Sequence, residues 1–381
     1  MTSIVSGQGT TVTSTVTSTF SPTSRSSSTT TISSTTLSTT TSTSTSTSTS
    51  TSATASIRPA ASARYAGLAV GNVGNANIKL FYIDKQKSAI MGYSQGRGYD
   101  WENHGSLTGL KHTLSMSNSV AVAYWLRAGT EEIRVYYISQ DSELIELVLT
   151  CPPKSACKIN GEAALGANDI ADTSNLSVVQ YFNAQGQPRI YVYYINKKNQ
   201  VARIVYSNNW GIPSSTGYSA YPGSPVATTM VYITSYGHKT YYTKTDGTLS
   251  SIFSYEDGRN LSEEVVSYSN PATIGATANI AACDVPYSAS YNYREGRIYQ
   301  VANDNLPYET WSRNYSSWTA SRTTSWLPLD YGNKDGIAAT SWFDSRSVAH
   351  VRLYYPNGGN VKEYGSDNWN AWYAGYVFPS T

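Results

Sequence analysis

An all-β fold, a six-bladed β-propeller, is predicted for residues 64–381 from three observations. One unit recurs six times, apolar and polar residues alternate at period two within it, and no long stretch carries helical periodicity. Each unit reads as a small apolar strand, a basic-flanked Tyr-rich strand, a tight turn, and a third strand that ends near an aromatic residue. A period of this size with about four strands per unit is the signature of a propeller.

The first 63 residues are dominated by Ser and Thr, with Arg25 and Arg58 as the only charged side chains. Such a stretch cannot bury a core, so the propeller is expected to be preceded by a disordered Ser/Thr-rich stalk, O-glycosylated if the chain is secreted. A plain flexible linker is the alternative. The composition changes near Ala63 and leaves residues 64–381 for the propeller domain, about 53 per unit, a comfortable blade length.

The second strand of the unit is clearest at Ile133-Arg134-Val135-Tyr136-Tyr137 and Val351-Arg352-Leu353-Tyr354-Tyr355. Looser copies begin at Ile78, Ile190, His238 and Gly296. Aligned, they put Lys79, Arg134, Tyr191, Lys239, Arg297 and Arg352 in one column, at intervals of 55, 57, 48, 58 and 55 residues. First strands precede them, as in Ala66-Gly67-Leu68-Ala69-Val70, Ser119-Val120-Ala121-Val122-Ala123, Asn279-Ile280-Ala281-Ala282 and Gly336-Ile337-Ala338-Ala339. Small residues there suit strands crowded around a central axis. Blades bury their faces only against neighbours, so the six are expected to fold as one domain. The 32 Tyr against 6 Phe are explained first by Tyr being a good strand residue whose hydroxyl reaches solvent, and second by sugar contacts.

Charge and cysteine usage narrow the function. The net charge of +2, with acidic and basic residues mixed, lacks the footprint of a nucleic-acid binder. No apolar run is long enough to span a bilayer, and Ile4-Val5 is too short to be the core of a signal peptide. A Ser/Thr stalk without an export signal is inconsistent unless the chain follows a membrane anchor in a longer protein. An extracellular or cell-surface location is expected from the stalk, with a cytoplasmic one left open. Cys151 and Cys157 flank a Pro-containing loop, where a bridge in an oxidising compartment and two free thiols in a reducing one both stay open, and Cys283 stands alone. No zinc pattern is present, and His104, His112, His238 and His350 show no metal or triad spacing, so neither metal nor cofactor is expected. Sequons at Asn175, Asn260 and Asn314 are about as many as chance supplies in this composition.

The informative spacing runs from the basic column to the third strand. Arg134 to Glu146 and Arg297 to Glu309 are twelve residues apart, and Arg352 to Glu363 eleven. The midpoints fall at turn-like sequences, at Gln140, at Asn303 and within Asn357-Gly358-Gly359-Asn360. Arg and Glu are therefore expected opposite each other on one face, with Cβ atoms roughly 5 Å apart. Trp318 follows Glu309 by nine residues and Trp372 follows Glu363 by nine, whereas Trp369 fits less well. A guanidinium and a carboxylate can hydrogen-bond adjacent hydroxyls while an indole covers an apolar sugar face. Fucose suits such a set, because its C6 is a methyl beside a hydroxylated ring. For a single blade the competing explanation is an exposed ion pair contributing about 0.2–1 kcal/mol beside a packing Trp.

The succession Ile-Ala-Ala, Ile/Val-Arg-Val/Leu-Tyr-Tyr, Glu and Trp resembles the fungal fucose-specific lectins of the Aleuria aurantia lectin type, across residues 64–381. The resemblance implies a multivalent, non-catalytic lectin that binds fucosylated glycans in pockets between adjacent blades, with Arg and Glu for hydroxyls and aromatics against the methyl. It implies that Arg297, Glu309 and Trp318 form one set and Arg352, Glu363 and Trp372 another. Arg134 and Glu146 require an aromatic from a neighbour, because Cys151-Pro152-Pro153 and Cys157 stand where their Trp would follow. The third blade has Tyr191 and Arg203 in the Arg and Glu places and keeps Trp210. The fourth has Lys239 and Ser251, and the first has Lys79 and Gly92 with Trp101. Two or three working pockets are expected, and pairing of two copies into a homodimer is left open. The alternatives are a degenerate propeller serving as a protein-interaction platform and a sialidase-like glycosidase. The latter would need its Arg residues to converge on the axis, and repeated Asp-box turns are missing.

Overall fold

The computed structural model describes residues 2–7, 10–19 and 27–31. It then describes 65–378 apart from 74–76, 96–99, 116–119, 128, 184, 233–235, 256–258, 267–274, 286–293, 302–306, 316, 323–335, 358–359 and 369–371. The expected turn centre at Asn303, the Gly358-Gly359 pair and Trp369 lie outside the described residues. Two compact units result, residues 1–57 and 58–381. In the first, strands Thr2–Gly7, Thr10–Thr19 and Ser27–Thr31 form an antiparallel meander. Its register sets Val5 opposite Val12 and Val16 opposite Thr30.

The second unit is the propeller. Blade 1 comprises Tyr65–Asn72, Ile78–Asp84, Ala89–Gln95 and Trp101–Ser106, and blade 2 Val120–Arg127, Thr130–Ile138, Leu144–Thr150 and Lys158–Ala164. Blade 3 comprises Ser177–Phe182, Pro188–Ile195 and Gln200–Ser207, whose outer edge is shared by Asn209–Trp210 and Ser214–Ser219. Blade 4 comprises Val226–Tyr232, Tyr236–Thr243, Leu249–Tyr255 and Asn260–Val265. Blade 5 comprises Ile280–Val285, Glu295–Val301, Pro307–Arg313 and Thr319–Arg322, and blade 6 Ala338–Phe343, Ala349–Asn357, Asn360–Asp367 and Tyr373–Phe378. All pairings are antiparallel and run in chain order from first to fourth strand.

The first strands neighbour one another in sequence around the axis, and that of blade 6 lies beside that of blade 1. Their small side chains, among them Ala69, Ala121, Ala281 and Ala338, let six backbones crowd together around a central cavity of about 100 Å³. Because every blade uses consecutive strands, the ring closes through side chains: Asn72 Nδ2 donates to the Ser341 carbonyl at 3.4 Å, and apolar groups pack beside it. Leu80, Tyr93 and Met91 of blade 1 meet Tyr354, Val361 and Phe378 of blade 6, with the Tyr93 and Phe378 rings edge-on at 5.1 Å. The remaining large apolar clusters sit likewise between consecutive blades, as where Leu147 and Ile145 pack with Phe81 and Ile83.

The Tyr residues behave differently from the sequence expectation. Tyr136, Tyr137, Tyr193, Tyr241 and Tyr299 are fully buried rather than reaching solvent. Several give their hydroxyl protons to carboxylates: Tyr137 to the half-buried Glu162 at 2.8 Å, and Tyr136 to the buried Glu146 at 3.0 Å. A buried phenol keeps the apolar bulk of Phe and adds a donor, provided a partner is supplied.

Candidate functional site

The Arg and Glu residues of the repeat share one face of each hairpin, as the spacing predicts, but they do not stand directly opposite. Arg134 faces Val148 and Glu146 faces Tyr136. Arg297 likewise faces Trp311 and Glu309 faces Tyr299, while Arg352 faces Gly365 and Glu363 faces Tyr354. The hairpin centre of blade 2 lies at Asp141 rather than Gln140, because Ser139 and Glu143 close the loop through a 2.9 Å backbone bond with Ser142 left-handed at φ 61°. Moving the centre by one residue changes the register by two, which preserves the face and makes each Arg and Glu diagonal neighbours within reach of long side chains. A Tyr two residues beyond the basic column thus becomes the direct partner of the Glu. The signal for this partner is the first Tyr of the Tyr-Tyr pair in the repeat.

The indoles also belong elsewhere than expected. Trp318 does not cover Arg297 and Glu309 of its own blade, nor Trp372 cover Arg352 and Glu363. Each Trp lies across the boundary, edge-on to the Tyr of the preceding blade. Trp210 meets Tyr136 at 5.9 Å and 83°, Trp318 meets Tyr241 at 5.9 Å and 83°, Trp372 meets Tyr299 at 5.8 Å and 90°, and Trp101 meets Tyr354 at 6.0 Å and 84°. The regrouped sets are Arg134, Tyr136 and Glu146 with Trp210; Arg297, Tyr299 and Glu309 with Trp372; and Arg352, Tyr354 and Glu363 with Trp101. Sequence spacing cannot assign these partners, because a fixed offset holds equally for either side of a blade.

Between blades 2 and 3, Glu146 accepts three hydrogen bonds, from Arg134 Nη1 at 2.9 Å, the Tyr136 hydroxyl at 3.0 Å and Trp210 Nε1 at 3.2 Å. The Arg134 guanidinium lies over the Trp125 and Tyr206 rings, 5.8 and 5.3 Å from their centroids. Burial disfavours its charge, yet the Glu146 carboxylate holds its pKa above the ordinary arginine value. Its Nε is buried without a hydrogen-bond partner.

Between blades 5 and 6, Arg297 is held by two carboxylates, bonding Glu309 through Nη1 and Glu295 through Nη2, the latter at 2.5 Å. The Tyr299 hydroxyl donates to Glu309 at 2.8 Å. Desolvation raises the Glu295 pKa, an effect that Arg297 opposes.

Between blades 6 and 1 the arrangement is looser. Arg352 Nη1 donates to Asp367 Oδ1 at 2.8 Å and to the Val351 carbonyl at 2.9 Å, and its Nε stands 3.8 Å from Glu363 Oε1. The Glu363 Oε2, the Tyr354 hydroxyl and Trp101 Nε1 are all buried without a full hydrogen bond. Burial raises the Glu363 carboxyl above its ordinary value, while Arg352, Tyr354 and Trp101 pull it back.

These pairs are not the exposed surface pairs of the competing explanation: Glu146, Arg297, Glu309, Arg352 and Glu363 are 5–8% exposed. A buried ion pair is no more stable than apolar residues of similar volume, so packing alone does not call for three of them. Unfilled donors and acceptors beside an indole are suited to a ligand carrying adjacent hydroxyls and an apolar face.

At two further boundaries the set is not assembled, although Lys79 of blade 1 pairs with Glu131 of blade 2 at 2.9 Å. Between blades 1 and 2, Phe81 and Gly92 take the Tyr and Glu places, and the Cys151–Cys157 disulfide stands in for the indole. A Cβ on Gly92 would meet the Phe81 ring at 3.0 Å and Cys157 Sγ at 3.7 Å. His104 lies near both sulfurs, but these are bonded to each other, and its ring nitrogens are engaged by Ser94 at 2.7 Å and the Ser155 carbonyl at 2.6 Å. Between blades 3 and 4, Tyr193 and His238 share a 2.7 Å hydrogen bond, and burial pushes the His238 pKa down to about 3.

The family model for the fungal fucose-specific lectin matches residues 119–377. No curated protein sequence matches the chain. Among solved structures, the fucose-specific lectin from Aleuria aurantia is 19% identical with a TM-score of 0.64, covering 83% of this chain and 96% of that one. AofleA from Arthrobotrys oligospora is 15% identical with a TM-score of 0.62, covering 83% and 88%. The BP39L lectin from Burkholderia pseudomallei is 16% identical with a TM-score of 0.57, covering 84% and 86%. A mutant of the Aleuria aurantia lectin was solved in complex with Fucalpha1-6GlcNAc. At these identities the structural likeness speaks for the six-bladed propeller, and the family match speaks for carbohydrate binding; this chain belongs to the fungal fucose-specific lectin family.

Proposed function

We propose that the propeller binds terminal L-fucose without covalent chemistry, in the clefts between blades 2 and 3, 5 and 6, and 6 and 1. The observation that carries this reading is the recurrence, at three boundaries, of an Arg–Glu pair, buried except for the half-buried Arg134, beside a Tyr on one blade and an indole from the next. Arg and Glu hydrogen-bond ring hydroxyls, and the indole covers the methyl face. At about 0.5 kcal/mol per non-hydrogen atom, one monosaccharide gains about 5–6 kcal/mol, a Kd of about 100 μM. Several weak clefts on one rigid ring give avidity for clustered fucosylated glycans. The stalk and the Cys151–Cys157 bridge favour display in an oxidising, extracellular setting.

A hydrolytic reading has less support. Glycoside hydrolysis needs two carboxylates flanking one bond, and Asp284 is the one carboxylate among the described residues lining the central channel. Its pKa is raised to about 6 by burial, and it is occupied by Tyr315 at 2.5 Å and Arg294 at 3.4 Å.

The test is isothermal titration of the full chain with methyl-α-L-fucoside, with sialic acid as control. Saturable heat at three sites is expected, and Arg134→Ala should weaken one of them by about 1.5–3 kcal/mol. Absence of heat at millimolar fucoside would replace this reading with the interaction platform.

A further inference from the structure

At the boundary between blades 4 and 5 the repeat has lost both its Arg and its Glu, yet a cation, a carboxylate and an indole are still gathered there. The Trp318 indole meets Tyr241 in the same edge-on geometry as at the three Arg–Glu boundaries, 5.9 Å and 83°. Lys239 stands in the basic column, 4% exposed, with its ammonium 5.6 Å from the Trp318 ring and 5.2 Å from that of Tyr315. A carboxylate is also present, supplied from a different strand. Lys239 Nζ donates to Glu264 Oε2 at 2.5 Å, and Trp318 Nε1 donates to Glu264 Oε1 at 3.3 Å.

The register explains the replacement. In blade 5 the row across the second, third and fourth strands reads Tyr299, Glu309, Ser321. In blade 4 the corresponding row reads Tyr241, Ser251, Glu264. Ser and Glu have exchanged strands, and the carboxylate has moved outward by one strand spacing, about 4.8 Å. Cation, carboxylate and indole are all retained. What changes is the floor of the cleft: a Glu side chain is replaced there by a smaller Ser, and the Tyr241 hydroxyl, whose counterparts Tyr136 and Tyr299 donate to the Glu of their clefts, has nothing to donate to. Tyr241 Oη and Ser251 Oγ are both fully buried and without a hydrogen-bond partner, side by side in the sheet. Two such groups in a cleft that opens at Glu264, 41% exposed, are the mark of a polar ligand reaching that depth.

The geometry points to a fourth saccharide cleft, between blades 4 and 5, that takes a neutral hexopyranoside bearing a hydroxymethyl group in place of the fucose methyl. This rests on the reading of the blade boundaries as sugar sites. Lys239 and Glu264 cancel each other's charge, so the ligand is neutral. With Ser in place of the longer Glu, the two orphaned hydroxyls can take one more polar substituent than a 6-deoxy sugar carries.

The experiment uses the full chain in two steps. Methyl-α-L-fucoside is titrated first, alone, to report on the three Arg–Glu clefts. Methyl-α-D-galactopyranoside and methyl-α-D-mannopyranoside are then titrated separately into protein saturated with the fucoside. One saturable site per chain is expected for one of the two hexosides, weakened at least tenfold by Glu264→Gln, an exposed substitution that preserves an acceptor for Lys239. The double exchange Ser251→Glu/Glu264→Ser should abolish that site and add one to the fucoside stoichiometry. Saturable fucoside binding with no hexoside binding on top of it would overturn this assignment while leaving the fucose clefts standing. Hexoside binding insensitive to Glu264→Gln would overturn it equally. Absence of fucoside binding with retained, Glu264-dependent hexoside binding would overturn the fucose reading alone.

Discussion

Assignment of each indole to the preceding blade can be tested without any ligand. Replacing Trp210 by Phe keeps an aromatic ring beside Tyr136 but removes the 3.2 Å hydrogen bond from Nε1 to Glu146. The acceptor is a carboxylate 5% exposed, so the lost bond should cost about 1.5–3 kcal/mol. Glu146→Gln removes the charge that makes that bond strong, and in its presence Trp210→Phe should cost much less. The double-mutant cycle between them should therefore give a coupling energy of at least about 1 kcal/mol, whereas sites that share no partner add within about 0.5 kcal/mol. Trp318 and Glu309, neighbours in one blade by sequence, serve as the control: the Trp318 indole bonds Glu264 and packs on Tyr241, so Trp318→Phe and Glu309→Gln should be additive. Urea unfolding of the full chain measures all the variants. Coupling between Trp318 and Glu309 with none between Trp210 and Glu146 would refute the cross-blade grouping.

Three further outcomes follow from the packing. His238 is buried as a neutral imidazole with a pKa near 3, below its unfolded value of 6.5, so its contribution is complete above pH 6.5 and is lost as pH falls toward 3. Wild-type unfolding free energy should decline between pH 6 and 5 by about 1.4 kcal/mol per unit more steeply than that of His238→Gln, and equal slopes would contradict this. The Cys151–Cys157 bridge closes a loop with a sequence separation of 6, so Cys151→Ala/Cys157→Ala should lower stability by about 2 kcal/mol in urea and leave fucoside stoichiometry unchanged. A Cβ at position 296 would come within 2.5 Å of the Tyr315 ring, so Gly296→Ala should destabilise by about 1–3 kcal/mol and alter Trp318 fluorescence.

The repeat made the ring legible, because a period of about 55 residues with alternating apolar positions admits few architectures. The columns also identified Arg134, Arg297, Arg352 and their Glu partners on one face. Three things were not legible, each for a physical reason. Turn geometry escaped because Ser142 adopts a left-handed conformation usually left to Gly, Asn or Asp, which displaces the hairpin centre by one residue. The indole partners escaped because a column shows which residues recur and not which side of a blade they face. Glu264 escaped because it stands on the fourth strand, at the position paired with Ser251 on the same face, outside the third-strand column in which the other carboxylates recur. A Ser in the carboxylate column with a Glu at the paired position of the fourth strand is a signal that could have found it.

The placement of the clefts around the ring carries its own consequence for the proposed avidity. The boundaries between blades 5 and 6 and between blades 6 and 1 are adjacent, whereas that between blades 2 and 3 lies across the ring from the first of them. Fucose termini on one dense surface can fill the two adjacent clefts together, while the distant cleft faces away from that pair. Linkage of two sites that a surface can satisfy together strengthens binding by about 10²–10⁴, and no such factor accrues to a cleft left out. Arg297→Ala or Arg352→Ala should therefore cut retention on a densely fucosylated sensor surface by at least about tenfold. Arg134→Ala should leave it within about twofold while removing one site from the solution stoichiometry. Equal losses from all three substitutions would mean that the clefts act as independent monovalent sites, and the case for avidity through the adjacent pair would fall.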